Sequence, residues 1–150
     1  MAKYTGVILH DNKITPHFYI WEFAHQAGKE LYIDNEFIYN FVPALERFRV
    51  WYNRPINITS CYRPAAYNAA VGGSPDSAHL RAWAIDTPLP KDYYQMTAAR
   101  KNEFLQNVKK RWVYEMHNIG RYAQVNFYDN RLHLGMSLKK DNFLDYRGKK

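Results

Sequence analysis

The stretch Ile58–Asp86, ITSCYRPAAYNAAVGGSPDSAHLRAWAID, decides the reading of this chain. Pro55 precedes a short predicted strand over Asn57–Ser60. Pro64 then ends regular structure before a small Ala-rich turn of helix around Ala65–Val71. Gly72–Ser77 is turn chemistry throughout, and Ala82–Thr87 reads as a strand that Pro88 terminates. This path leaves His79 in a turn-rich loop and Asp86 at the end of the adjacent strand, so an imidazole and a carboxylate can meet at one point. Cys61 is the one cysteine of the chain, which excludes an internal disulfide and any multi-cysteine zinc cluster. A metal here would need histidines and carboxylates, and a catalytic zinc takes three protein ligands with the fourth position left to water.

Working toward the C-terminus, Thr97 to about His117 has helical spacing, with Phe104, Leu105, Val108, Trp112 and Met116 on one apolar face and basic residues opposite. Asn118-Ile119-Gly120 closes that helix. Tyr122–Tyr128 and Arg131–Ser137 read as two strands of a hairpin, since Asp129-Asn130 tolerates the positive φ angles of a tight turn. Alternation puts Leu132 and Leu134 on one face and Arg131, His133 and Gly135 on the other. His133 is therefore the best third ligand beside His79 and Asp86, because a strand fixes its direction. The other histidines, His10, His17, His25 and His117, are read as packing or hydrogen-bonding residues.

Toward the N-terminus, Thr15-Pro16 reads as a helix start and Gly28 as its end, with Phe18, Trp21 and Phe23 partly buried. A second helix is predicted from the Asp34-Asn35 cap to about Tyr52, burying Phe37, Phe41, Leu45, Phe48 and Tyr52, with Pro43 kinking or splitting it. The 150 residues are the length of one ordinary domain, 1–150, and 47% apolar with 23% charged residues is globular rather than disordered composition. A net charge of +7 and 13 tyrosines suit a polyanionic partner, namely nucleic acid, an anionic cell wall or an acidic membrane surface. Lys109-Lys110-Arg111 and the tail Arg147–Lys150 carry no nucleic-acid motif, so no specific nucleic-acid partner is expected. No apolar stretch approaches the roughly 20 residues of a membrane span. The first residues, MAKYTGVILHDNK, lack a signal peptide's apolar core, so no leader-directed export is expected.

Residues 58–86 resemble the core of the zinc D-alanyl-D-alanine carboxypeptidase family, and within it murein peptidases that include many phage endolysin domains. The family pattern runs Ser-Gly-Tyr-Arg-Ser-Pro, then Asn-x-x-Val-Gly-Gly, then Ser-x-His-x-x-Gly-x-Ala-x-Asp, with a later strand supplying a final His. Here these are Ser60–Pro64, Asn68–Gly73, Ser77–Asp86 and His133. Phe18–Phe23, Pro43 and Ile119–Tyr122 extend the likeness over nearly the whole chain.

The resemblance implies an α+β fold of the Hedgehog/D-Ala-D-Ala carboxypeptidase-like kind: a small antiparallel sheet, helices packed on it, and a zinc cleft at the sheet surface. It implies that His79, Asp86 and His133 bind Zn2+, that Arg63 holds the peptide's carbonyl or carboxylate, and that Ser77 lines the same pocket. Without it, a surface ion pair explains Arg63 better. The implied activity is zinc-dependent hydrolysis of a D-amino-acid-containing peptide bond in peptidoglycan, by a monomer acting from the host cytoplasm at lysis or carried on a virion. Two departures stand out. Ala82 replaces the pattern's glycine, tolerable if its φ stays negative. Relatives also place an acidic residue a few positions before the final His or two after it, where this chain has Asn130 and Gly135. Asp129 is the nearest carboxylate and the first candidate general base, or an ordinary turn aspartate, with Glu115 and His117 in reserve. A catalytically silent zinc module that binds cell wall is the second reading, and a basic nucleic-acid binder the third.

Overall fold

The computed structural model describes residues 2–4, 13–25 and 30–148. In chain order the strands and helices are β1 (Ala2–Tyr4), β2 (Lys13–Thr15), β3 (Phe18–Tyr19), β4 (Leu31–Ile33), α1 (Val42–Tyr52), α2 (Ala65–Ala70), β5 (Ala84–Pro88), α3 (Ala98–Asn118), β6 (Tyr122–Phe127), β7 (Arg131–Ser137) and β8 (Asn142–Asp145). This is an α+β arrangement. Two small antiparallel ribbons, β1 with β4 and β2 with β3, accompany a four-stranded sheet of order β5-β7-β6-β8.

The sheet is mixed rather than purely antiparallel: β5, β7 and β6 pair antiparallel, but β8 runs parallel to β6. The chain leaves β7, passes the start of β6 and returns along its far edge. There Asp141 Oδ1 accepts from Ala123 N at 2.8 Å and anchors the crossing. All four residues of β8 are exposed, so it has no buried face to give it a sequence period.

The helix expected from Thr15 to Gly28 is not formed; Gly28 itself lies outside the described residues. Thr15 ends β2, Pro16-His17 makes a turn, and only Ile20–Phe23 is helical, as a single 3-10 turn. A tertiary contact overrides local propensity here, since Glu46 accepts from His17 N at 2.8 Å and meets His17 Nδ1 at 2.6 Å. Phe18 and Phe23 are fully buried rather than partly so, because this segment threads the core instead of lying on it as a helix.

The second helix does begin beside Asp34, whose Oδ1 accepts from Phe37 N at 2.8 Å. Phe37–Phe41 is a π-helical turn, closed by Val42 N donating to Phe37 O, and it lies directly before Pro43. A proline has no N–H to give and crowds the preceding turn, so widening that turn lets the helix continue through it. Phe37, Phe41, Leu45, Phe48 and Tyr52 are all buried. Phe41 and Phe48 meet Trp112 of α3 edge-on, with ring centroids 5.9 and 5.6 Å apart. Trp112 Nε1 in turn donates to Gly135 O at 2.8 Å, pinning α3 to β7 from behind. Burial of Leu132, Leu134 and Met136 on that side leaves Arg131, His133 and Gly135 to the other, as alternation predicts.

Candidate metal centre

His79 sits in a 3-10 turn, Ala78–Arg81, that Ser77 caps by accepting from His79 N at 3.2 Å. Buried Asp34 holds the same turn from below: Oδ2 accepts from Arg81 Nη2 at 3.0 Å and Oδ1 from Trp83 Nε1 at 3.1 Å. Ala82, which closes the turn, has φ +59°, so the expectation of a negative φ is overturned. An alanine in the left-handed region costs about 1–2 kcal/mol. It is tolerated because Ala82 N donates to His79 O and the methyl is fully buried in the core.

Asp86 lies in β5 and His133 directly opposite it in β7, so antiparallel register brings them together. Asp86 Oδ1 is 2.9 Å from His133 Nδ1 and 3.5 Å from His79 Nε2. One potential ligand atom from each of the three residues lies within 4.8 Å of the others. The outward-facing ring nitrogens are engaged elsewhere: His79 Nδ1 donates to Cys61 O at 2.7 Å and His133 Nε2 to Gln124 Oε1 at 3.3 Å. With the ring protons on those outward nitrogens, the tautomers a bound cation requires, two imidazole lone pairs and a carboxylate oxygen converge. Three acceptors facing one another call for a cation, and an N/N/O set with both imidazoles braced by carbonyl oxygens suits zinc. In the metal-free chain burial raises the Asp86 carboxyl, but hydrogen bonds donated by the facing imidazoles hold it well below the ordinary carboxylate range, in the ionised form a ligand needs. Burial likewise outweighs the Asp86 charge at His133 and lowers its imidazole, keeping it in the neutral form that a ligand needs.

The three residues line a cleft of 570 Å³ together with Arg63, Ser77 and Gln124. Arg63 Nη2 donates to Ser77 Oγ at 3.2 Å, and Arg63 N donates to His79 O at 2.9 Å. Arg63 Nε is buried and has no hydrogen-bond partner among the described residues. A guanidinium held at one end by Ser77 and lining the cleft beside the ligand cluster suits an incoming carbonyl or carboxylate oxygen.

The profile of the Peptidase M15 family matches residues 16–125. The chain belongs to that family. Its members are zinc-dependent metallopeptidases, which places this M15 chain among hydrolases that act on peptides. The matched residues contain His79, Asp86, Arg63 and Ser77, whereas His133 lies beyond them. Searches among curated proteins and solved structures gave no match.

The remaining expected residues are placed elsewhere in the M15 chain. Asp129, the first candidate general base, does not line the cleft; both its oxygens accept from Gly148 N, at 3.1 and 3.0 Å. Its turn position makes it available to the C-terminal segment that β8 brings alongside. Glu115 is fully buried between Arg47 and Arg111, at 2.9 and 2.8 Å, and is part of the helix packing. His117 pairs with Asp141 on the surface at 2.9 Å. Among the described residues, the carboxylates lining the cleft are Asp76 and Asp86. Asp76 is exposed, and the Ser74 hydroxyl beside it keeps its carboxyl below the ordinary value.

Sequence reasoning did not single out Gln124, nor the far wall. There Tyr128 lies between Arg131, whose Cζ is 3.7 Å from its ring centroid, and Tyr146, stacked at 5.0 Å. Tyr146 reaches the cleft only because β8 folds against β6, and no local pattern announces that pairing. Among the described residues no helix is long and apolar enough to cross a membrane.

Proposed function

We propose that this M15 chain is a zinc peptidase that hydrolyses a D-amino-acid-containing bond in the peptide stem or cross-bridge of bacterial peptidoglycan. In this reading residues 1–150 form one Hedgehog/D-Ala-D-Ala carboxypeptidase-like domain. His79, Asp86 and His133 hold the zinc, and Arg63 and Ser77 take the peptide's carbonyl or carboxylate oxygen. The observation that carries it is the convergence of the three ligand atoms in a cleft that the Arg63 guanidinium also lines.

Zinc, when bound, polarises a scissile carbonyl and lowers the pKa of its water to about 7. The chain's own residues do the rest. Cys61 O and Gln124 Oε1 keep both imidazole lone pairs aimed inward. Ser77 holds the Arg63 fork where it can donate to a developing oxyanion. Arg131 and the Tyr128–Tyr146 stack offer a cationic and aromatic wall to a substrate rich in carboxylates and sugars, in keeping with the charge of +7. A phage-type enzyme, monomeric and reaching the wall at lysis or from a virion, is the setting that fits this substrate.

A second reading, a zinc module that binds wall without cutting it, draws on one observation: Asp129 could act as a base only by releasing Gly148. Mass spectrometry of muropeptides digested with the intact protein and with His133→Ala separates the two. New peptide termini are expected from the intact protein alone. Co-sedimentation with murein and no product from either would establish the silent module instead.

A further inference from the structure

We propose that Gln124 is a positioning residue of the metal centre, and that residue 135 is glycine so that the Gln124 side chain can lie against His133. The proposal rests on the metal-site reading above. Gln124 stands opposite Gly135 in the β6–β7 register, while His133 stands opposite Asn126. Gln124 and His133 are therefore diagonal neighbours on the face that carries the cluster. Diagonal pairs on one face lie within reach of a long side chain, and Gln124 Oε1 comes to 3.3 Å from His133 Nε2.

What brings the amide there is the absence of a side chain at 135. A Cβ on Gly135 would lie 2.5 Å from Gln124 Oε1 and 3.2 Å from both Gln124 Cβ and Ala84 Cβ. No backbone reason for the glycine competes with this one. Positive φ occurs at Gly72, Gly120 and Gly148 but not at Gly135, and the bond from Trp112 uses only the carbonyl at 135, which any residue supplies. The glycine thus leaves open the volume in which the Gln124 amide rests over the neighbouring strand.

The consequence for His133 is a choice of tautomer. When Nδ1 ligates a cation the ring proton must sit on Nε2, and Gln124 Oε1 is the acceptor that receives it there. Without that acceptor a proton at Nε2 is left unpaired, and the competing tautomer, in which Nδ1 donates to Asp86 Oδ1 2.9 Å away, gains over the ligating one. An amide at this position braces the ligand without adding a negative charge to the cluster.

Three variants test this: Gln124→Met removes the acceptor at nearly constant volume, Gly135→Ala displaces it from the opposite strand, and Gln124→Glu keeps an acceptor oxygen. Zinc affinity is read by competition with a chromophoric chelator, and the His133 tautomer by 15N NMR of the metal-free protein, with circular dichroism as the check on folding. Gln124→Met and Gly135→Ala are each expected to weaken zinc binding about tenfold, while Gln124→Glu stays within about threefold of wild type. The double variant Gln124→Met/Gly135→Ala should lose little more than either alone. The Nε2-protonated share of His133 in the metal-free protein should be lower in Gln124→Met than in wild type. Wild-type zinc affinity in both Gln124→Met and Gly135→Ala, or an unchanged tautomer, would overturn the proposal and leave the metal site standing. Failure of the wild-type protein to take up zinc would overturn both.

Discussion

Zinc should raise the melting temperature of the metal-stripped protein, and His133→Ala should abolish that rise. His79 Nε2 and His133 Nδ1 face a single oxygen, Asp86 Oδ1, at 3.5 and 2.9 Å, so the folded chain presents a ready-made ligand set. The unfolded chain has no such convergence, since 47 residues separate Asp86 from His133. A ligand that binds only the folded state stabilises it by about 4 kcal/mol when its free concentration is a thousandfold above Kd. In a chain of 150 residues, about 1 kcal/mol moves the melting point by roughly 2–4 °C. The expected rise is therefore about 8–16 °C. With His133 removed, the same zinc concentration falls near the weakened Kd, where the stabilisation is about 0.4 kcal/mol and the rise about 1–2 °C. Differential scanning calorimetry of chelator-treated protein, with and without zinc, reads this directly. His117→Ala is the control, because His117 pairs with Asp141 at the surface and should leave the rise intact. A wild-type melting point indifferent to zinc, or a full rise in His133→Ala, would refute the reasoning.

Three further outcomes follow from particular contacts. At Ala82, φ +59° makes Ala82→Gly nearly neutral, because relief of about 1–2 kcal/mol of strain is offset by a lost buried methyl and greater unfolded-state freedom. Ala82→Val should cost about 3 kcal/mol or more in urea unfolding, and equal effects of the two would contradict the left-handed assignment. Around buried Glu115, Arg47→Ala/Arg111→Ala strands a carboxylate and should cost about 3–5 kcal/mol. Glu115→Gln leaves two half-exposed guanidiniums free to hydrate and should cost only about 1–2 kcal/mol; the reverse order in chemical denaturation would sink this account. Finally, burial lowers the His133 imidazole in the folded, metal-free protein, so the unfolded state binds more protons below its ordinary value of about 6.5. The associated stability is present above about pH 6.5 and lost as the pH falls, with Asp86 adding a further loss only below about pH 4. Melting curves between pH 7.5 and 5 should therefore decline more steeply for wild type than for His133→Ala, and parallel declines would remove His133 as the cause.

How much of this was legible depended on the range of the signal. α3 reads from its apolar spacing and its Thr97 cap, which accepts from Arg100 N at 3.2 Å. The β6–β7 hairpin reads from Asp129-Asn130 and alternation, and that alternation alone placed His133 off the buried side. The 15–28 segment misled because a Thr-Pro start is a local signal, whereas Glu46, 29 residues from His17, settles what the chain does there. The partner of Asp129 was illegible for the same reason, its carboxylate accepting from Gly148 N at the far end of the chain.

Local chemistry determined that this is an α+β protein of the M15 family with His79 and Asp86 at the two ends of one loop-to-strand passage. Turn residues, caps and periodicity act over a few positions, and so can be read from neighbours in sequence. Only the tertiary structure decided that His133 lies opposite Asp86, that Gln124 fills the space over Gly135, that β8 brings Tyr146 to the cleft, and that Ala82 is left-handed. Register, clearance and edge pairing are set by what packs against a strand from elsewhere in the chain, and no window of sequence contains both partners.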